Sequence, residues 1–201
     1  MSVRIDVWSD FGCPFCFLAA ASLERLRKEA EVEIHWHSFQ LRPPGAPAMP
    51  PEVRAMVEKE RQHVAQVART QYGLELRPGP VGFNTRPAHV GEKYADAQGK
   101  GDDFHNAVMK AYWQEARSID DAEVLKALAD KIGLSGDALA VSWEDSAFAA
   151  AVDSDRVQAA LNGITSVPTL LFAEQYIVVG AQPYQVLKDQ VAKIQQGVRL
   201  L

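Results

Sequence analysis

Ser9-Asp10-Phe11-Gly12-Cys13-Pro14-Phe15-Cys16 is the stretch whose reading decides the fold. It follows a short apolar run, Val3-Arg4-Ile5-Asp6-Val7-Trp8, and it opens a helix-like run from Phe17 to Leu26. A Cys-x-x-Cys pair between a strand and a helix reads as a redox pair. Residues three apart on a helix are neighbours, with Cβ atoms about 5–6 Å apart. A disulfide needs Cα atoms about 4.4–6.8 Å apart, so one helical turn lets the two sulfurs bond or separate with little backbone motion. Cys13 would sit at the helix N-terminus, where free N–H groups and the macrodipole favour a thiolate. Pro14 would be an early helical residue, where its missing N–H costs nothing. Cys16, one turn in, lacks that advantage and should be more deeply buried. The asymmetry assigns attack to Cys13 and resolution of the mixed disulfide to Cys16.

The 201 residues are 47% hydrophobic and 23% charged, with a net charge of −5. That is an ordinary globular composition, and no basic cluster marks a nucleic-acid footprint. No apolar run approaches the roughly 20 residues of a membrane span. Met1-Ser2-Val3-Arg4-Ile5-Asp6 lacks a basic stretch followed by an apolar one, so it does not read as a signal peptide. Both cysteines lie in the motif, which leaves no structural disulfide framework and suggests a transient disulfide in a cytoplasmic protein.

Residues 3–8 alternate as a strand and residues 17–29 have helical spacing. Residues 31–39 alternate again, with Val32, Ile34 and Trp36 facing one way and Glu33, His35 and His37 the other. This β-α-β unit implies parallel strands. The proline-dense break Pro43-Pro44-Gly45-Ala46-Pro47-Ala48-Met49-Pro50-Pro51 ends it. Helical patterns follow over 52–72, 88–98, 102–116, 121–132, 135–141 and 144–161, with a loop from Arg77 to Pro87. Asp120 is the expected N-cap of the 121–132 helix and Gly133 its stop. Strand character returns at Thr169–Phe172 and Tyr176–Val179, joined by the hairpin-length Ala173-Glu174-Gln175, and a last helix runs from 184 to 195. With the middle removed, a four-stranded mixed sheet with flanking helices remains. The expected fold is therefore α/β, thioredoxin-like, with a large inserted α-helical subdomain. Residues 1–43 and 143–201 form the discontinuous thioredoxin-like unit, and 44–142 form an insert that buries its own apolar faces.

Ser9-Asp10-Phe11-Gly12-Cys13-Pro14-Phe15-Cys16 resembles the active-site motif of DsbA-like thioredoxin-fold oxidoreductases of the FrnE type. Four further stretches are similar in the same order: Ser38-Phe39-Gln40-Leu41-Arg42-Pro43; Asn84-Thr85 with Ala88-His89; Gly163-Ile164-Thr165-Ser166-Val167-Pro168-Thr169; and Gly180-Ala181-Gln182-Pro183. The resemblance covers essentially the whole chain. It implies a thiol–disulfide oxidoreductase with Pro168 as a cis-proline beside the cysteines. A substrate would be bound by Pro14, Phe15, Val167, Pro168 and Thr169, its extended chain pairing with the backbone at Val167. Partners would be protein or small-molecule thiols and disulfides, with glutathione a candidate co-substrate and no other cofactor. The sequence departs from the periplasmic oxidases in carrying Phe15 where they have histidine, and in lacking an export signal. Without a cation beside the nucleophile the pair should be a weaker oxidant, which fits a reductase or isomerase.

Other readings of these residues compete. Cys13, Cys16, His35 and His37 are four zinc-type ligands, but the histidines fall mid-strand while the cysteines lie at the sheet's end, so no metal site is expected. His35 and His37 read as surface residues, and His63, His89 and His105 as satisfied or solvated ones, with His89 a candidate for the cleft wall. Asp10 reads either as a buried proton shuttle for Cys16 or as a solvated strand-end carboxylate. Trp8, Phe11, Phe15, Trp36 and Tyr112 read as core or cleft wall. Kappa-type glutathione transferases and hydroxychromene-carboxylate isomerases share the inserted fold, but the first cysteine position there is typically serine. A thioredoxin-fold chaperone or binding module with inert cysteines is the non-enzymatic rival.

Overall fold

A computed structural model describes residues 2–43 and 45–197. Pro44, with which the expected insert begins, lies outside the described residues, as do residues 1 and 198–201 of the expected sheet unit. In chain order the elements are β1 (Val3–Ser9), α1 (Pro14–Glu29), β2 (Val32–Ser38), α2 (Pro51–Val67), α3 (Arg86–Ala97), α4 (Gly101–Trp113), α5 (Ala122–Lys131), α6 (Gly136–Ser142), α7 (Ser146–Leu161), β3 (Thr169–Phe172), β4 (Tyr176–Val179) and α8 (Tyr184–Gln195). A single π-helical turn, Ala68–Tyr72, extends α2.

The strands form one sheet in the order β2-β1-β3-β4. β1 runs parallel to β2, with Val3 opposite Val32 and Ser9 opposite Ser38, and antiparallel to β3. β3 and β4 form the expected antiparallel hairpin. Its turn places Ala173 and Glu174 at φ 49° and 58°. Two successive positive φ values match the right-handed strand twist, although neither residue is the glycine or asparagine that such turns favour. As a central strand β1 is covered on both faces, so only Arg4 of its seven residues is exposed. The Asp6 carboxylate is therefore buried, and Arg4 and His37 pair with it at 2.7 and 2.8 Å.

α1 divides the core. Leu23 and Leu26 pack with Val3, Ile5, Leu170, Phe172, Leu187 and Val191 under the sheet. Cys16, Phe17, Leu18 and Ala20 instead join Phe104, Val108, Tyr112, Trp113, Leu125 and Leu139. The helices after β2 thus pack on one another, and α4 packs on α1 as well, so their core runs on into the first half of α1. Short amphipathic helices need a neighbouring apolar face, and these find it both in one another and in α1. Each fully buried leucine contributes about 1.5–3 kcal/mol, so α1 anchors both halves.

α1 begins at Pro14, with Cys13 as its N-cap, as the position of the motif implies. One expected helix boundary shifts. Asp121, not Asp120, caps α5, its side chain accepting from the Glu123 N–H; Asp120 accepts from the Ser118 hydroxyl instead. Gly133 follows α5 at φ 83°, the left-handed stop that glycine provides.

Candidate active site

β1 ends at Ser9, and three bonds shape the turn that follows. One Asp10 carboxylate oxygen accepts from the Gly12 N–H at 3.0 Å, and the other accepts from the Leu41 N–H at 2.6 Å, just beyond β2. Trp113 of α4 donates its indole N–H to the Phe11 carbonyl at 2.9 Å. The turn delivers Cys13 to the N-cap of α1 with extended backbone (φ −93°, ψ 119°) and no side-chain cap. Its thiol stands where a capping oxygen would otherwise take the free N–H groups.

Both cysteines are free thiols, Cys13 5% and Cys16 1% exposed. The Cys13 thiol also lies 3.6 Å from the Val167 carbonyl, and Val167–Pro168 is a cis peptide bond, as the resemblance implies. The pair is electrostatically asymmetric. A hydrogen bond from the Cys16 thiol lowers the Cys13 pKa more than any other influence does; burial opposes it, and the N–H groups of Cys16 and Phe15 assist. Burial, followed by that same donated bond, pushes the Cys16 thiol well above its ordinary value. Cys13 is the thiol poised to ionise, and Cys16 is the one held protonated.

Phe15 is 39% exposed, while Pro14 and Val167 are half-buried. Thr169, expected to meet substrate, is buried; its hydroxyl donates to the Ser166 carbonyl at 2.7 Å and so shapes the loop instead. Pro168 is likewise buried. Beside Gly12 and Pro14 opens a cavity of about 300 Å³, walled by Leu41, Val57 and Val64 of α2, Phe83, Tyr112 and Trp113. Arg61 braces this wall by donating to the Gly79 carbonyl at 3.0 Å and to the Tyr112 hydroxyl.

Asp10 is not a solvated strand-end residue; it is 2% exposed. Burial raises its pKa, but His89 and the Gly12 and Leu41 N–H groups outweigh burial and hold it below the usual carboxylate range. His89, from α3, is buried behind the motif rather than on the cleft wall, its ring 4.8 Å from that of Phe11. Glu92 lies one turn further along α3 and pairs with His105 of α4 at 2.5 Å. The His105 ring stacks on Trp36 at 3.5 Å. His63 is exposed and His35 faces solvent, but the surface expectation fails for His37. Its two ring nitrogens lie 2.8 Å from Asp6 and 2.9 Å from Asp155 of α7. Burial lowers its pKa, yet the two carboxylates outweigh burial and raise it. Lys93 completes this second cluster, 2.6 Å from Asp155.

His89, Glu92, His105 and Asp155 escape a reading by periodicity, because their partners lie on other elements. A signal exists for the first two: His89 and Glu92, at i and i+3, share an α3 face with the small residues Ala88, Gly91 and Ala95. A Cβ at Gly91 would come within 3.0 Å of Leu139 and 3.2 Å of Phe104, so that face must be buried.

Over residues 4–192 the chain matches the DSBA-like thioredoxin domain. The chain belongs to that family. A curated relative, the uncharacterised protein YwbO of Bacillus subtilis, is 29% identical over 98% of this chain and 99% of its own. Among solved structures, the probable DsbA oxidoreductase SCO1869 of Streptomyces coelicolor superposes with a TM-score of 0.80 at 25% identity, covering 99% of this chain and 92% of its own. A 2-hydroxychromene-2-carboxylate isomerase gives 0.80 at 21% identity, covering 96% and 97%. The cytosolic disulfide reductase DsbM of Pseudomonas aeruginosa, in its complex with GSH, gives 0.71 at 19% identity, covering 94% and 99%. The last two likenesses concern the fold. No helix among the described residues is long and apolar enough to cross a membrane.

Proposed function

We propose that this DsbA-like chain is a cytosolic thiol–disulfide oxidoreductase of the reductase or isomerase type. The observation that carries the reading is the asymmetry of the pair: Cys13 with a lowered pKa at the N-cap, Cys16 with a raised one a turn inside. The Cys13 thiolate attacks one sulfur of a substrate disulfide. That S–S bond breaks, the displaced thiolate takes a proton, and a mixed disulfide joins Cys13 to the substrate. Cys16 then loses its proton to solvent and attacks the Cys13 sulfur. The second substrate thiol departs and the pair is left as a Cys13–Cys16 disulfide. A low-molecular-weight thiol of the glutathione class restores the dithiol by the reverse exchange, becoming a disulfide itself. Support for glutathione comes from the similar fold of DsbM in complex with GSH, and support for the cytosol from the cytosolic DsbM and from both cysteines lying in the motif.

Pro14, Phe15 and Val167 form the substrate contact in this reading, with Pro168 and Thr169 holding the loop, and residues 44–142 act as the insert that selects substrates. Asp10, held ionised, supplies fixed charge more readily than it shuttles protons. A glutathione-dependent isomerase has no evident use for Cys16, and an inert binding module has none for the asymmetry.

Equilibrating the protein against glutathione buffers tests the proposal. A potential between about −270 and −180 mV, the range of thioredoxin and protein disulfide isomerase, is expected. A value near −120 mV would make the chain a dedicated oxidant instead, and the lack of any redox transition would overturn the oxidoreductase reading.

A further inference from the structure

His89 is one of the buried ionisable groups that the exchange chemistry leaves unused, and it stands directly behind the motif. It is 1% exposed, and neither ring nitrogen has a hydrogen-bond partner among the described residues. Two carboxylates face it instead. Asp10, from the end of β1, lies 3.6 Å from Nε2, and Glu92, from its own helix, lies 3.6 Å from Nδ1. Phe11 covers one side of the ring, and beyond Glu92 stands His105 of α4. A carboxylate taken out of water persists as an ion only when paired. Asp10 is also three residues from the nucleophile, and its charge opposes ionisation of Cys13.

We propose that His89 is a positioning residue for the redox pair: its imidazolium neutralises Asp10 and thereby shields the Cys13 thiolate from a buried negative charge. The inference rests on Cys13 being the nucleophile, and it gives the inserted helices a direct electrostatic hold on the redox turn. The environment agrees, since burial pushes the His89 pKa down while Asp10 and Glu92 more than reverse this and raise it to about 9. The same Asp10 carboxylate holds the Gly12 and Leu41 N–H groups, so charge and geometry at the turn are set together.

The test is a cycle of His89→Gln, Asp10→Asn and the double variant, read by thiolate absorbance of Cys13 against pH and by the rate of attack on oxidised glutathione. His89→Gln should cut the thiolate fraction at pH 7 about tenfold, equivalent to one pKa unit. The rate should fall only about threefold, because nucleophilicity rises with pKa. In the Asp10→Asn background the same substitution should change neither by more than about twofold, which a merely structural role would not explain. An unchanged thiolate fraction in His89→Gln, or an equal loss in both backgrounds, overturns the inference. Should His89→Gln fail to fold, nitrogen-15 NMR of the wild-type ring decides: both nitrogens protonated at pH 7 supports the inference, and a neutral tautomer ends it. Normal exchange in the wild type with an unresponsive His89→Gln defeats this inference alone. A wild-type Cys13 with no thiolate below about pH 8.5 takes the proposed nucleophile down with it.

Discussion

His89 ionises differently in the folded protein and in the unfolded chain, and that difference is measurable as stability. Its folded pKa of about 9 lies above the ordinary 6.5, so the stability it contributes is complete below pH 6.5 and is lost as pH rises through 9. At about 1.4 kcal/mol per unit the full effect is of the order of 3 kcal/mol. In a Cys13→Ser, Cys16→Ser background, where no thiol titrates, urea unfolding should find the advantage of His89 over His89→Gln shrinking by about that amount between pH 6 and pH 9.5. An advantage that stays constant would mean the ring is uncharged. Such residues are where sequence reading stops. Asp10 was legible as chemically interesting because it adjoins the cysteines, but the direction of its role depends on His89, 79 positions away. His37 looks like the solvent face of an alternating strand until Asp155 of α7 closes over it.

At the scale of elements the period-2 and period-3.6 patterns sufficed for β1, α1, β2 and the terminal hairpin, because each buries a single face or a pair of faces. Boundaries were less legible. Asp120 and Asp121 are chemically equivalent candidates for a cap, and the backbone alone decides that the Glu123 N–H meets Asp121. α2 has little buried surface of its own beyond Val64, yet it walls the cavity beside Gly12 and Pro14. The substrate selection proposed for the insert would act through this wall. Val57, half-buried on its cavity side, can be changed without disturbing the core. Val57→Trp should leave reduction of small disulfides within about twofold of wild type. Reduction of a protein disulfide flanked by apolar residues should slow about tenfold, the equivalent of 1.4 kcal/mol of lost apolar contact. Equal slowing of both substrates would assign the cavity no part in selection.

Over the whole molecule, the sheet order β2-β1-β3-β4 follows from a β-α-β unit and a hairpin that must share one central strand. The sequence carried the β-α-β unit, the hairpin and a helical interruption between them. The joining of the insert to α1 through one apolar core was not legible, because Phe17, Leu18, Phe104 and Trp113 are simply apolar residues until the chain brings them together. That joining brings three neighbours onto the turn that carries Cys13: the Leu41 N–H onto Asp10, the Trp113 indole onto Phe11, and the Val167–Pro168 loop onto the Cys13 thiol. Everything then depends on Cys13 being the attacking thiol. Mass spectrometry of the Cys16→Ser protein after exposure to oxidised glutathione answers this directly, since no second thiol remains one turn away to expel the adduct. A glutathione adduct accumulating on Cys13, with none forming on Cys16 in the Cys13→Ser protein, is the expected result. The reverse pattern, an adduct on Cys16 and none on Cys13, would contradict it.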